Sequence, residues 1–290
     1  MKSSIRLVIT DVDNTLYDWL AFYIPSFLAM IQELHRLTGV DCDALKRSFS
    51  KVHQTHRTSE YAFAIQELEA LQTIDSHLSA EERVRKYGSA IDAFRSMRKK
   101  TLKLYPGVKN TLERLQQEGM TIVAHSDSMM SYVSRRLRQL DIDRFFSAIC
   151  APRDHGVPEG LDPGVVRRFA LDLVESRTRR LEYSPDIRKP DIATLAPIFN
   201  TLRVPPKHTV YVGDSLSRDV LLARRAGISD IWARYGHQHE NGLYNELLQI
   251  TYWTEKEVKE EERLRRELGG APPSYVVDSF SEILARCGLT

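Results

Sequence analysis

The apolar residues of this chain follow two rhythms. Short apolar runs stand at 5–10, 120–125, 145–151, 208–212, 228–233 and 274–277. Each is too short for a helix and too continuous for a strand with one wet face. Each therefore predicts a strand covered on both sides, as in a parallel sheet between helical layers. Between the runs the apolar spacing lengthens to that of an amphipathic helix. Val108, Leu112 and Leu115 mark one helix, stopped at Gly119; Tyr132, Val133, Arg136, Leu137 and Leu140 mark the next. A helix after Asp191 runs through Leu202 and has to tolerate Pro197, and others close at Ala226-Gly227 and over 279–287. The alternation predicts an α/β fold with a doubly wound, mainly parallel sheet.

Residues 17–103 break the rhythm, because no strand pattern occurs there. Trp19, Phe22, Tyr23, Phe27, Met30, Ile31 and Leu34 recur at helical spacing, with Pro25 as a kink or early-turn residue. Further helices are expected near 41–52, 59–73 and 79–98, the last opened by a capping box of Ser79 and Glu82. Residues 1–16 and 104–290 thus read as one α/β unit, and 17–103 as a small all-α unit inserted after its first strand. Two tracts interrupt the α/β part. In 152–188, Pro152, Pro158 and Pro163 mark a loop, with one amphipathic helix on Val165, Phe169 and Leu173. In 236–270, Leu243, Leu247 and Leu248 mark a short helix, and the charged run 255–267 reads as a solvated helix laced with pairs such as Glu261–Arg265. The basic residues Arg95, Arg98, Lys99, Lys100 and Lys103 are likewise assigned to a solvated face.

Composition narrows the class without changing this picture. The 290 residues carry a net charge of +2, too mild to argue for nucleic acid or an acidic membrane. Cys42, Cys150 and Cys287 are far apart and lack metal spacing, which suits free thiols in a reducing compartment. No apolar run approaches the roughly 18 residues of a membrane span, and no leader is visible, so a cytoplasmic protein is expected.

The chemistry gathers at the ends of the predicted strands. The first runs into Asp11 and Asp13, the second into Ser126 and Asp127, the fourth into Asp214, and Lys189 stands at a loop-to-helix boundary. Parallel strands bring such ends to one sheet edge, where open α/β sheets place their ligands. Two acids one residue apart repel unless a cation lies between them or one keeps its proton. Carboxylates for a hard cation, a hydroxyl donor and a lysine together form what phosphoryl transfer needs.

The chain resembles the haloacid dehalogenase-like (HAD) superfamily of hydrolases. Asp11-Val12-Asp13-Asn14-Thr15 matches that family's D-x-D-x-T motif, and Ser126 its hydroxyl motif. Lys189-Pro190 matches its lysine motif, and Gly213-Asp214 through Asp219 its G-D-x-x-x-x-D motif. The resemblance implies a Rossmann-like core with 17–103 as a helical cap. It also implies an Asp11 nucleophile forming an aspartyl phosphate, Asp13 as general acid then base, and Ser126 on the phosphoryl oxygens, aided by the backbone amide of Asp127. Lys189 would stabilise the negative charge. Mg²⁺ would bind to Asp11, to Asp13 through its backbone carbonyl, and to Asp214. Asp219 would hold Lys189 or a metal-bound water. Thr15 reads as structural, turning the chain and capping the next helix, and the Asp127 side chain as another helix cap. His125 reads as core, His237-x-His239 with Glu240 as incidental, and His53, His56 and Arg57 as a solvated loop.

Asp13 selects within the family. A phosphate ester needs a proton for its leaving oxygen and a halide does not, so the resemblance implies a phosphatase and not a dehalogenase. The expected partner is a small phosphorylated metabolite, a nucleotide monophosphate among the candidates, with no nucleic acid or membrane, and a monomer or homodimer. A phosphomutase, and a non-catalytic phospholigand-binding protein on the same scaffold, are the alternatives.

Overall fold

A computed structural model describes residues 5–157, 162, 178–237 and 241–289. Among them, β1 (Leu7–Thr10), β2 (Thr121–His125), β3 (Ala148–Pro152), β4 (Arg179–Tyr183), β5 (Thr209–Gly213), β6 (Ser229–Ala233) and β7 (Tyr275–Val277) form one sheet in the order β4-β3-β2-β1-β5-β6-β7. Every pairing is parallel, and in the centre Thr10 faces Ala124 of β2 on one side and Val212 of β5 on the other. Successive side chains of β1 go to opposite faces: Val8 joins one apolar cluster, Leu7 and Ile9 the other. Both faces are covered, which is why the strands read as unbroken apolar runs. The doubly wound parallel sheet expected from the sequence is present.

The sequence reading missed β4. Its R-R-L-E-Y alternates, with Leu181 and Tyr183 buried and the rest exposed, the pattern of an edge strand. A tract whose prolines mark loop on either side hid it. The helix expected on Val165, Phe169 and Leu173 lies outside the described residues. Pro197 needs no special tolerance: the helix is Ala196–Leu202, and the proline sits in its first turn after a 3₁₀ turn, Ile192–Leu195.

Between β1 and β2 the described elements are helical. The helix Trp19–Thr38 is capped by Asp18, which accepts from Ala21 N, and it ends at Gly39 with φ 71°. Pro25 lies inside it, beyond the first turn. The helix Cys42–His56 runs longer than expected and carries His53 and His56 in its last turn, so these are not loop residues. The expected helix 59–73 is two short pieces, Ala64–Glu67 and Glu69–Ile74. The Ser79–Glu82 capping box forms, but its helix breaks at Tyr87 into Ala80–Lys86 and Gly88–Thr101.

The tract 236–270 joins this helical block to the sheet. Its helix Asn241–Ile250 packs on the block: His53 Nδ1 donates to Ile250 O at 2.6 Å, and Lys46 pairs with Glu246 at 2.8 Å. Its helix Glu255–Leu268 packs on the turn after β5, where Ser217 donates to Glu261 and Arg225 pairs with Glu267 at 2.6 Å. The charged run is therefore exposed along most of its length but docked through Glu261 and the buried Leu264. Among the described residues no helix is long and apolar enough to cross a membrane.

Candidate active site

Three of the four motifs follow the end of a strand. Asp11 and Asp13 follow β1, Ser126 follows β2, and Asp214 follows β5. These strands are neighbours, and the chain builds outward from β1 in one direction through β2, β3 and β4, then in the other through β5, β6 and β7. The reversal leaves a crevice at the carboxyl ends of β1 and β5. Two glycines let the loops close over it. A Cβ at Gly213 would stand 2.3 Å from Asp219 Cγ, and one at Gly236 would stand 1.9 Å from Asn14 O.

Lys189 is the hub. Its Nζ donates to Asp11 Oδ1 at 2.5 Å and to Asp219 Oδ1 at 2.7 Å, and all three side chains are buried. Burial alone would discharge the ammonium, but Asp11 and Asp219 hold its pKa well above the usual lysine range. Its backbone N–H donates to Asp127 Oδ1 at 3.2 Å, and Asp127 is also held by Tyr183 Oη at 3.2 Å and faces Arg218 at 3.6 Å. The Asp127 carboxylate thus anchors the lysine loop and caps no helix: the helix Met130–Gln139 has no side-chain cap. Its backbone amide, not its side chain, is the group that can serve a phosphoryl oxygen. Thr15 Oγ1 donates to Asp11 Oδ2 at 3.0 Å and so orients that carboxylate; the following helix is capped by Asp18 instead.

Carboxylate oxygens of Asp11, Asp214 and Asp219 lie within 4.8 Å of one another. Burial raises the Asp11 carboxyl to about 8 against the pull of Lys189, and burial with Asp11 and Asp219 nearby raises Asp214 well above the carboxylate range. Two buried acids and the half-buried Asp214 gather around one lysine, and all the donors are hard oxygens. That donor set fits a divalent cation such as Mg²⁺. The Asp13 carboxylate is not in the cluster, so among the residues expected to hold metal only Asp11 and Asp214 contribute side chains, with Asp219 beside them.

Asp13 has its own partners. Tyr17 Oη at 2.7 Å and Arg136 Nη1 at 2.9 Å donate to Oδ1; Ser128 Oγ at 2.8 Å and Ser126 Oγ at 3.3 Å donate to Oδ2. Each of the two acids therefore has a cation of its own, Lys189 on Asp11 and Arg136 on Asp13. Arg136 Nη2 pairs further with Glu60 of the helical block, and its guanidinium lies 5.0 Å from the Phe22 ring centre.

The profile of the haloacid dehalogenase-like hydrolase family matches residues 5–227, and a related HAD-hydrolase-like profile matches 186–283. The chain belongs to the haloacid dehalogenase-like hydrolases. A Pseudomonas putida protein named probable phosphoglycolate phosphatase is 27% identical over 143 residues, 49% of this chain and 45% of that protein. In that match the chain spans about half the length of its curated relative. The phosphoglycolate phosphatase of Pseudomonas putida strain KT2440 is 25% identical over 236 residues, 81% of this chain and 71% of that protein. A 2-haloacid dehalogenase from Pseudomonas syringae shares the fold at TM-score 0.60 and 19% identity, over 97% of this chain and 99% of that one.

In this HAD-like hydrolase the structure adds residues that sequence reasoning did not single out for the site: Arg136, Glu60, Ser128 and Tyr17. One signal was available. Arg136 falls on the apolar face of its helix beside Val133 and Leu137, and a buried arginine needs an acidic partner. Of the other residues considered, His125 is buried with Nδ1 2.9 Å from Tyr211 Oη, and burial beside Lys189 holds its pKa well below the usual range. His53 is buried, His56 pairs with Glu67 at 2.6 Å, and Arg57 is exposed. His239 and Glu240 lie outside the described residues. Cys42, Cys150 and Cys287 are free thiols.

Proposed function

We propose that this HAD-like hydrolase is a Mg²⁺-dependent phosphatase of a small phosphate monoester, working through an aspartyl phosphate on Asp11. The observation that carries the reading is the pairing of two differently held acids. Asp11 has one oxygen on Lys189 and one on Thr15, while Asp13, two residues on, sits among Arg136, Tyr17, Ser128 and Ser126. Lys189 and Thr15 fix one carboxyl at the sheet edge for attack, and the guanidinium and hydroxyls around the other fix it where a leaving oxygen or a water can exchange a proton with it.

In this reading an Asp11 oxygen attacks phosphorus while Asp13 gives its proton to the leaving oxygen; Asp13 then takes a proton from the water that cleaves the phosphoenzyme. Lys189, Ser126 and the Asp127 amide spread the charge of the phosphoryl oxygens. Arg136 aims the Asp13 carboxyl. Asp11, Asp214 and the backbone carbonyl of Asp13 would hold Mg²⁺, with Asp219 steadying Lys189 beside them. When bound, the ion neutralises charge on the nucleophile and phosphoryl group. The helical block, at the mouth of the crevice, serves as cap. The acid at position 13 supports a phosphate ester over an organohalide, because only the former needs a proton donor. The name carried by the relatives favours a small phosphorylated acid over a nucleotide.

A screen of phosphorylated metabolites with Mg²⁺ tests the proposal. Phosphate release that disappears in Asp11→Asn at unchanged folding supports it. Activity retained in Asp11→Asn removes Asp11 as nucleophile, and an isomerised product instead of free phosphate would make the protein a phosphomutase.

A further inference from the structure

A cavity of about 140 Å³ lies within the helical block beside the catalytic crevice, and the two share Ser59 and Glu60 as a wall. Its apolar lining is mainly aromatic, with Phe22, Phe27, Phe49 and Phe94 among the rings and Met30, Ile65, Val84 and Ile91 beside them. Four guanidinium groups also line it: Arg95, Arg98, Arg135 and Arg136. Against them stand two carboxylates. Glu60 is paired with Arg136, and Glu81 faces Arg85 at 3.9 Å. The cavity is therefore cationic and flat-walled at once.

Arg98 is the cation left over. Its Nε is buried without a hydrogen-bond partner, and among the described residues its side chain makes no ion pair. Burial, then the charges of Arg135, Arg136 and Arg95, pull its pKa down to about 10, with Glu60 offsetting part of the effect. A half-buried guanidinium without an acceptor is costly, and an entering anion relieves it. The rings beside it offer stacking surface rather than hydrogen bonds. At roughly 10–15 Å³ per water-sized site, the cavity holds a group on the order of ten atoms. Arg136 links the two spaces, since one of its nitrogens is on Asp13 and the other on Glu60.

We propose that this cavity receives the leaving group, and that it selects phosphate esters whose leaving group combines a flat apolar body with a second negative charge paired to Arg98. The proposal rests on the phosphatase reading of the adjoining crevice.

The test compares phenyl phosphate with 3- and 4-carboxyphenyl phosphate as substrates of the wild type, Arg98→Met and Arg98→Lys, all with Mg²⁺. The expected result is at least a tenfold higher kcat/KM for a carboxylated ester in the wild type. Arg98→Met should erase the preference, mainly through KM, and Arg98→Lys should keep part of it. Equal kcat/KM for the three esters in the wild type, or a preference that survives Arg98→Met, overturns the proposal. If Arg98→Met fails to fold, Arg98→Gln is read by the same rule. If none of the esters releases phosphate, the metabolite screen decides the phosphatase reading, and calorimetry with 3- and 4-hydroxybenzoate decides the cavity separately. Binding by the wild type that is lost in the variant sustains it, and no binding by the wild type overturns it.

Discussion

Arg136 Nη1 lies 2.9 Å from Asp13 Oδ1, and the opposite side of the same guanidinium holds Glu60 of the helical block. The position of the proposed proton donor is thus tied to the position of the helical block. Replacing Arg136 with Met should lower kcat by about 100-fold, the lower end of what general acid–base catalysis contributes. The loss should be larger for an alkyl phosphate than for 4-nitrophenyl phosphate, whose leaving group needs less protonation. Because Arg136 is buried, the variant should also lose about 3–5 kcal/mol of stability. Arg136→Lys, which keeps the charge, provides the activity comparison if Arg136→Met does not fold. Equal losses for the two esters would assign Arg136 to the fold alone.

Asp214 is half-buried beside Asp11 and Asp219, and Lys189 pairs with those two and not with it. Asp214→Asn should remove repulsion that the apo protein bears, raising its Tm in EDTA while abolishing phosphatase activity. On the proposed Mg²⁺ site, the ion should raise the Tm of the wild type, as a ligand of the folded state alone does, and should leave the variant unmoved. Thermal melts of both proteins with EDTA and with Mg²⁺ check this.

Gly236 approaches the first motif so closely that a Cβ would meet Asn14 O at 1.9 Å and Asp214 Cβ at 2.8 Å. Gly236→Ala must push two motif loops apart. Activity should fall at least tenfold, about 1.4 kcal/mol in the barrier, while far-UV circular dichroism stays that of the wild type. An alanine variant of undiminished activity would mean that the loops can shift without consequence.

His53 carries the joint between the helical block and the helix Asn241–Ile250. Burial holds its pKa at about 4, against an unfolded value near 6.5. Between these values the unfolded chain binds the proton that the folded one refuses, so stability rises with pH. The contribution of neutral His53 is complete above about pH 6.5 and is lost as the pH falls toward 4, about 3 kcal/mol in all. Urea midpoints of the wild type and His53→Gln at pH 7.5 and 4.5 should show a smaller decline in the variant. Parallel declines would place the acid sensitivity elsewhere.

Much of this protein was legible from local pattern. A strand buried on both faces must be apolar at consecutive positions, so the central strands declared themselves, and with them the parallel sheet. Asp11, Asp13, Ser126, Lys189 and Asp214 follow strands or loops whose ends a parallel sheet must bring together, so the strand pattern alone implies that they meet. Where the pattern was weaker the reading failed. The edge strand Arg179–Tyr183 is buried on one face only, and its two inward residues carry too little signal inside a proline-rich tract. Arg95 and Arg98, three residues apart on one helix, read as solvated because charge usually is; tertiary packing turned both toward a cavity.

The sequence by itself determined which groups are candidates for the chemistry and which sheet edge they share, because strand burial and residue type are local properties. Only the tertiary structure decided what holds those groups. Arg136 reaches Asp13 across 123 residues of chain and Glu60 across 76. Nothing local to any of these positions names its partner. The partners are chosen by how the helical block and the sheet pack, which is set by the whole core at once.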